Sequence, residues 1–267
     1  MEYSNRQSAN EGGRWSVLLV LMLFLSGCAS MDSLFSAQST TDTSSQNIET
    51  EQQDSGTDAS PEVVPLDPMQ AKVLALRAET NLYLSGSTPV KASVKYQFDQ
   101  ALAAKQAGNL KLAKQILEKL IDDEPKLSGP WVQLGDLNML DFAGSPKGDQ
   151  EQKQAHLVAA KVNYEKAIKI NQHNYFAHNR LAKVFREMGD FAQAEQHYQY
   201  AIQSYPAYDN AYLNLGILYD LYLGKKQQAL ENYELYQALQ DKPKRQVRGW
   251  IADLKRQIAK VQNGENK

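Results

Sequence analysis

Cys28 is the only thiol in the 267 residues. A lone thiol can be acylated or can attack an electrophile, but it cannot close a disulfide within the chain. It stands just after the nine-residue apolar run Val17–Leu25, with Arg6 and Arg14 upstream. A bilayer-spanning helix needs about 20 apolar residues, so this run is too short to cross a membrane. It suits the apolar core of a secretory signal over residues 1–27. The four histidines are His156, His173, His178 and His197. No two have the i, i+4 spacing that turns a pair of rings to one helix face for zinc. There is no Gly-rich phosphate loop and no Gly-x-Ser-x-Gly elbow. The sequence therefore predicts no catalytic residue, no metal and no cofactor, and the chain reads as a non-enzyme.

Leu25-Ser26-Gly27-Cys28 resembles a bacterial lipobox. The resemblance implies a diacylglyceryl group on the Cys28 sulfur, cleavage before Cys28 and acylation of the new amino group. Several acyl chains hold a protein firmly, since each buried methylene contributes about 0.8 kcal/mol. The competing reading is ordinary cleavage or an uncleaved anchor, with Cys28 incidental. Ala29 follows the cysteine. By the enteric sorting rule this favours the periplasm-facing leaflet of the outer membrane over the inner membrane.

Residues 29–67 contain eight Asp and Glu and no Lys or Arg, among Ser, Thr and Gln. Such a stretch buries too little apolar surface to offset the entropy of ordering. It is expected to be a disordered tether, about 35 Å across as a coil. A helix of roughly Met69–Leu84 should follow, with Asp67-Pro68 as cap and first turn. It would flank the repeats over residues 68–93.

The elements that organise the rest recur at a 34-residue offset. His178-Asn-Arg-Leu181-Ala182-Lys-Val-Phe185 is echoed by Tyr212-Leu-Asn-Leu215-Gly216-Ile-Leu-Tyr219. The first stretch continues through Gly189, Ala194, Tyr198 and Ala201 to Pro206. These residues resemble the tetratricopeptide repeat (TPR), a helix–turn–helix unit stacked into a solenoid. The implied fold is all-α: a TPR helical-hairpin solenoid with a flanking N-terminal helix and a C-terminal capping helix. Small residues at Ala182, Gly216, Ala194 and Ala201 would let helices approach, while Leu181, Phe185, Tyr198 and Tyr233 fill the space around them. Four repeats are expected, near 94–127, 128–174, 175–208 and 209–241. The second carries about 13 extra residues, read as a loop around Gly144–Gln150, and the fourth has one extra residue between Tyr219 and Ala229. From Pro243, Val247, Trp250, Ile251, Leu254 and Ile258 recur on one helical face, which suits a basic cap over residues 241–267.

The TPR resemblance also implies a concave face lined by the first helix of each repeat. Carried onto this chain, the groove residues are Phe176, Asn179, Arg180, Lys183 and Arg186 of the third repeat, with Asn210 and Asn214 of the fourth. Asn, Arg and Lys there resemble part of a carboxylate clamp. Phe98, Leu102, Val132 and Asp136 at comparable positions depart from it, which favours a mixed polar and aromatic groove for protein. From residue 69 onward, 27 Lys and Arg face 21 Asp and Glu. The cap concentrates the excess, either as a solvated face or as a patch for an acidic partner.

Together these readings predict a lipid-anchored adaptor at the outer membrane, facing the periplasm. Its partners would be envelope proteins or peptides, with neither nucleic acid nor a small-molecule substrate. It would scaffold peptidoglycan machinery or an energy-transducing proton-channel complex. The alternatives are a pilotin-like assembly factor for a type IV pilus or secretin, and an envelope enzyme with a helical support domain.

Overall fold

A computed structural model describes residues 66–85 and 89–264. The expected signal, Cys28 and nearly all of the acidic stretch lie outside the described residues. Among those described, eleven α-helices and one π-helical turn follow one another, with no strand. No helix of these residues is long and apolar enough to cross a membrane.

Helix starts follow from side chains that accept the orphan N–H groups of the first turn. Asp67 accepts from the Met69 and Gln70 amides and, with Pro68 behind it, opens α1 (Pro68–Ala78). Asn109, Asp149, Asn174 and Asp190 open α4 (Leu110–Asp123), α6 (Gln150–Ile170), α7 (Tyr175–Met188) and α8 (Phe191–Ser204) in the same way. Gly189 ends α7 at φ 82°, a left-handed geometry that costs glycine little. Tyr205, held extended before Pro206, ends α8.

The hairpins pair α3 (Ala92–Gln106) with α4, α5 (Ser128–Gly144) with α6, and α7 with α8. The fourth pairs α9 (Asp209–Ile217) with α10 (Lys226–Leu239). Each hairpin shares its core with the next, as a solenoid requires. One cluster joins α3, α4 and α5, the next α5, α6 and α7, and the last runs from α7 to the cap α11 (Arg245–Gln262). Within a hairpin the small residue and the large one interlock. A Cβ on Gly216 would meet the Tyr233 ring at 2.6 Å, and one on Gly135 would overlap Tyr164. Val247 and Leu254 of α11 are buried on α10, with Trp250 set 5.3 Å from the Tyr233 ring.

The two length irregularities are absorbed by helix. The extra residues of the second repeat, read from sequence as a loop, mostly extend α5 to 17 residues and α6 to 21, against 14 in α7 and α8. Only Ser145–Asp149 remains between them. The single extra residue of the fourth repeat becomes the π turn Leu218–Tyr222, where the Leu223 amide donates to the Leu218 carbonyl. Inserting one residue into a helix is the usual origin of such a bulge.

The N-terminal segment differs from its expectation. The single helix of roughly 69–84 is two: α1 stops at Ala78, Glu79–Asn81 break the helix, and α2 spans Leu82–Ser85. Nor does α1 flank the first repeat. It packs on α10, burying Val73 in the last core cluster with Met69 and Leu76 beside it. The Arg77 guanidinium donates to the Leu239 carbonyl at 3.1 Å. Further on, Tyr83 lies edge-on to Tyr175 and Phe176, and its carbonyl accepts from Asn171. The segment thus passes the repeats in reverse order before the first one begins.

Candidate functional site

The wall built by α3, α5, α7 and α9 carries the residues assigned to the groove. Its centre is one carboxylate with three donors. Asp136 of α5 accepts from Arg180 Nε at 2.6 Å and from the Tyr164 hydroxyl at 2.9 Å, and Lys105 Nζ lies 3.6 Å away. Burial, followed by the Asp136 charge and hydrogen bond, pushes the Tyr164 phenol far above the usual range. Arg180 is therefore committed to the neighbouring repeat rather than held out as part of a clamp.

A second set ties the third repeat to the fourth. Asn214 donates to Asn179 at 3.0 Å, and the buried Asn179 donates to the Tyr208 hydroxyl at 3.3 Å. Phe176 sits in an aromatic cluster with Tyr83, Tyr175 and Tyr208, and stays 36% exposed. Asn210 is exposed at the start of α9 and bonds its neighbour Asp209. These contacts bring Phe176, Asn179, Arg180 and Asn214 together as wall-to-wall ties, which leaves few of their polar atoms for a ligand.

Lys183 and Arg186, further along α7, are placed differently. Lys183 reaches solvent yet lies deep enough in the wall for desolvation, then Arg186 and Arg180, to hold its ammonium below the usual pKa. No residue among those described pairs with it. Arg186 is largely covered, bonds Glu187 through Nη2 at 3.2 Å and lies over the Tyr222 ring, 5.7 Å from its centroid. Its Nε is buried with no hydrogen-bond partner, and so is the hydroxyl of Tyr198. Tyr198 is fully buried, and its phenol is raised by that burial while Arg186 pulls it back. Such orphaned groups cost roughly 1–3 kcal/mol each. Beside them the π turn leaves Leu221 70% and Tyr222 43% exposed.

Two histidines of the same repeat form a closed pair. His178 Nε2 lies 2.9 Å from the Gln172 carbonyl, which can only accept, so that nitrogen carries a proton. His178 Nδ1 and His197 Nδ1 are 2.9 Å apart, so in the neutral pair His197 donates and His178 accepts. Burial and then the His178 charge push His197 down to about 4. No group of three or more His, Cys, Asp or Glu among the described residues could hold a metal.

Two open furrows are lined in part by α3 or α5. One, of about 660 Å³, is bounded by Tyr83, Val90, Phe98, Leu127 and Ile170. The other, of about 400 Å³, lies among α4, α5 and α6 near Trp131.

Comparison with known proteins agrees with this architecture. Residues 163–196 and residues 96–126 each match a family profile described as Tetratricopeptide repeat. Among solved structures, a thermophilic TPR protein of Thermus thermophilus superposes with a TM-score of 0.52 at 20% identity, over 60% of this chain and 80% of that one. Pseudomonas aeruginosa PilF gives 0.52 at 22% identity, over 62% of this chain and 69% of that one. Human IFIT1, solved as a dimer with PPP-AAAA, gives 0.54 at 15%, over 64% and 40%. A search of the curated proteins finds no match. At these identities the likeness is one of fold: this chain is an all-α TPR solenoid. Solenoids of this kind present extended surfaces to other proteins.

Proposed function

We propose that this chain is a lipid-anchored adaptor of a bacterial cell envelope. In this reading Cys28 carries the acyl anchor, residues 29–67 form the tether, and the solenoid faces the periplasm from the outer membrane. The concave wall binds partner proteins and holds them in an envelope complex, either peptidoglycan machinery or an energy-transducing proton-channel assembly. The observation that carries it is the row of exposed and chemically varied side chains along α7, α9 and the π turn: Phe176, Lys183, Asn210 and Leu221. Such a row suits a segment of protein better than a compact small molecule.

The test is cross-linking and affinity capture from detergent-solubilised envelope, comparing wild type with Lys183→Glu. Loss of specific partners in the variant is the expected result, and an unchanged set overturns the groove assignment. Cys28→Ser should release the protein from the membrane pellet or leave a longer precursor. Normal processing and pelleting of that variant overturn the anchor.

A further inference from the structure

We propose that His178 and His197 form a two-coordinate site for a soft monovalent metal ion of the copper(I) and silver(I) class, held in line between their Nδ1 atoms. The site goes beyond the adaptor reading and does not rest on it. The two rings come from facing helices, α7 and α8, and their Nδ1 atoms stand 2.9 Å apart. The ring centres are 5.2 Å apart, with planes 29° from parallel. With that nitrogen spacing, such a separation means that the rings meet end to end, each nitrogen aimed at the other. One proton bridges them. A metal ion that takes two nitrogens in a straight line would stand in its place. Metal–nitrogen bonds of about 2 Å put the nitrogens about 4 Å apart, so the rings must part by roughly 1 Å.

The pair is prepared for such an ion. His178 Nε2 donates to the Gln172 carbonyl at 2.9 Å, which fixes the tautomer and leaves the Nδ1 lone pair facing His197. A backbone carbonyl in that place is a common way to orient a metal-binding histidine. Burial keeps both imidazoles neutral, so protons do not compete for the lone pairs at neutral pH. His197 is half-buried, so an ion can reach it from solvent. On binding, its proton passes from Nδ1 to Nε2, and both ligands stay uncharged. The surroundings select the charge of the ion. Phe185 stacks on the His197 ring with 5.4 Å between centres, and Tyr200 leans on both rings. The groups that act on the pair from outside are the Gln172 carbonyl and the His173 ring, and no carboxylate among the described residues does so. Lys161, over the Phe185 ring, is paired with Glu165. Nor does any third His, Cys, Asp or Glu among the described residues complete a metal-holding group. A divalent ion would carry two charges into this pocket with neither neutralised. Zinc would also lack two of its four ligands. A soft ion of single charge needs only the two imidazoles, beside ring faces that attract cations.

The experiment uses the full chain in detergent with Cys28→Ser, so that its only thiol cannot take the ion, and with imidazole nitrogens labelled for NMR. Silver nitrate in chloride-free buffer is the first probe, and copper(I) kept reduced with ascorbate is the second. Zinc sulfate is the control. The expected result is saturation at one silver ion per chain, with the Nδ1 signals of His178 and His197 moving together and the His197 Nε2 signal becoming that of a protonated nitrogen. X-ray absorption of the copper(I) form should show two nitrogen neighbours at about 2 Å. His178→Gln and His197→Gln should each weaken silver binding by more than about tenfold, the usual cost of losing even an outer partner. His156→Gln, on α6, should leave it unchanged. Zinc bound as tightly as silver, sulfur neighbours in the absorption spectrum, a shift in one ring only, no saturable binding, or unchanged affinity in both variants overturns the site. The spectra are read on the chain with both histidines in place, so they decide the outcome even if a variant fails to fold.

Discussion

The second and third repeats have the same skeleton and opposite electrostatics. In the second, Tyr164 packs over Gly135 and delivers its hydroxyl to Asp136, which also gathers Arg180 and Lys105. In the third, Tyr198 packs where Ala182 leaves room, but its hydroxyl ends beside Arg186 without an acceptor. One repeat gathers donors from both neighbours on its acid and acts as a structural joint. The other leaves an arginine nitrogen and a phenol buried without a partner. Packing positions in a repeat are set by helix contact, whereas polar positions on the wall can change without disturbing the stack.

The sharpest way to break this contrast is Asp136→Ala. It strands two cations and a phenol, and should cost about 3 kcal/mol, read by urea denaturation. Next in size is a pH effect confined to the third repeat. His197 is depressed in the folded chain, so the unfolded chain takes up its proton first as pH falls. Stability is complete above about pH 6.5 and declines toward pH 4. After discounting for partial solvent access, the loss is on the order of 2 kcal/mol. A Tm profile from pH 7.5 to 4.5 checks it, and His197→Gln should flatten the slope. A paired substitution then sharpens the comparison. Tyr164→Phe should cost about 1–2 kcal/mol because it leaves Asp136 short of a donor. Tyr198→Phe should instead raise stability by about 1 kcal/mol, since it loses no bond and removes a buried hydroxyl that has no partner. The last substitution is the most diagnostic. Lys183→Asp, which recreates the second repeat's acid, should raise stability by about 1 kcal/mol.

Much of this architecture is readable before any coordinates. The offset of 34 residues finds the hairpins because the small and large packing residues recur with it. The extra residue between Tyr219 and Ala229 is legible as an insertion, but not that it becomes a π turn rather than a longer connection to α10. The added length of the second repeat is also legible, but not its form. Gly144-Ser-Pro suggests a loop, while the residues on either side continue their helices. The wall is legible as a set of positions and not as a set of bonds. That Arg180 serves Asp136 depends on a residue 44 positions earlier. Tyr198 reads from sequence as a space-filler only. Its polar role would show on comparing Asp136 and Asp220 with Lys183 and Arg186 down the repeats. The docking of α1 leaves no local trace, because the contact spans 162 residues.

That long contact has a consequence for biogenesis. Hairpin arrays mature by neighbour-to-neighbour contacts and can begin anywhere along their length. Here Met69, Val73 and Leu76 are translated ahead of every repeat, yet their resting place on α10 is among the last surfaces made. The nascent chain therefore carries an uncovered oily helix through nearly all of its synthesis, a natural handle for a chaperone. Only when the fourth hairpin closes does α1 gain the surface it rests on, so the slowest event in folding should be the docking of that helix on α10.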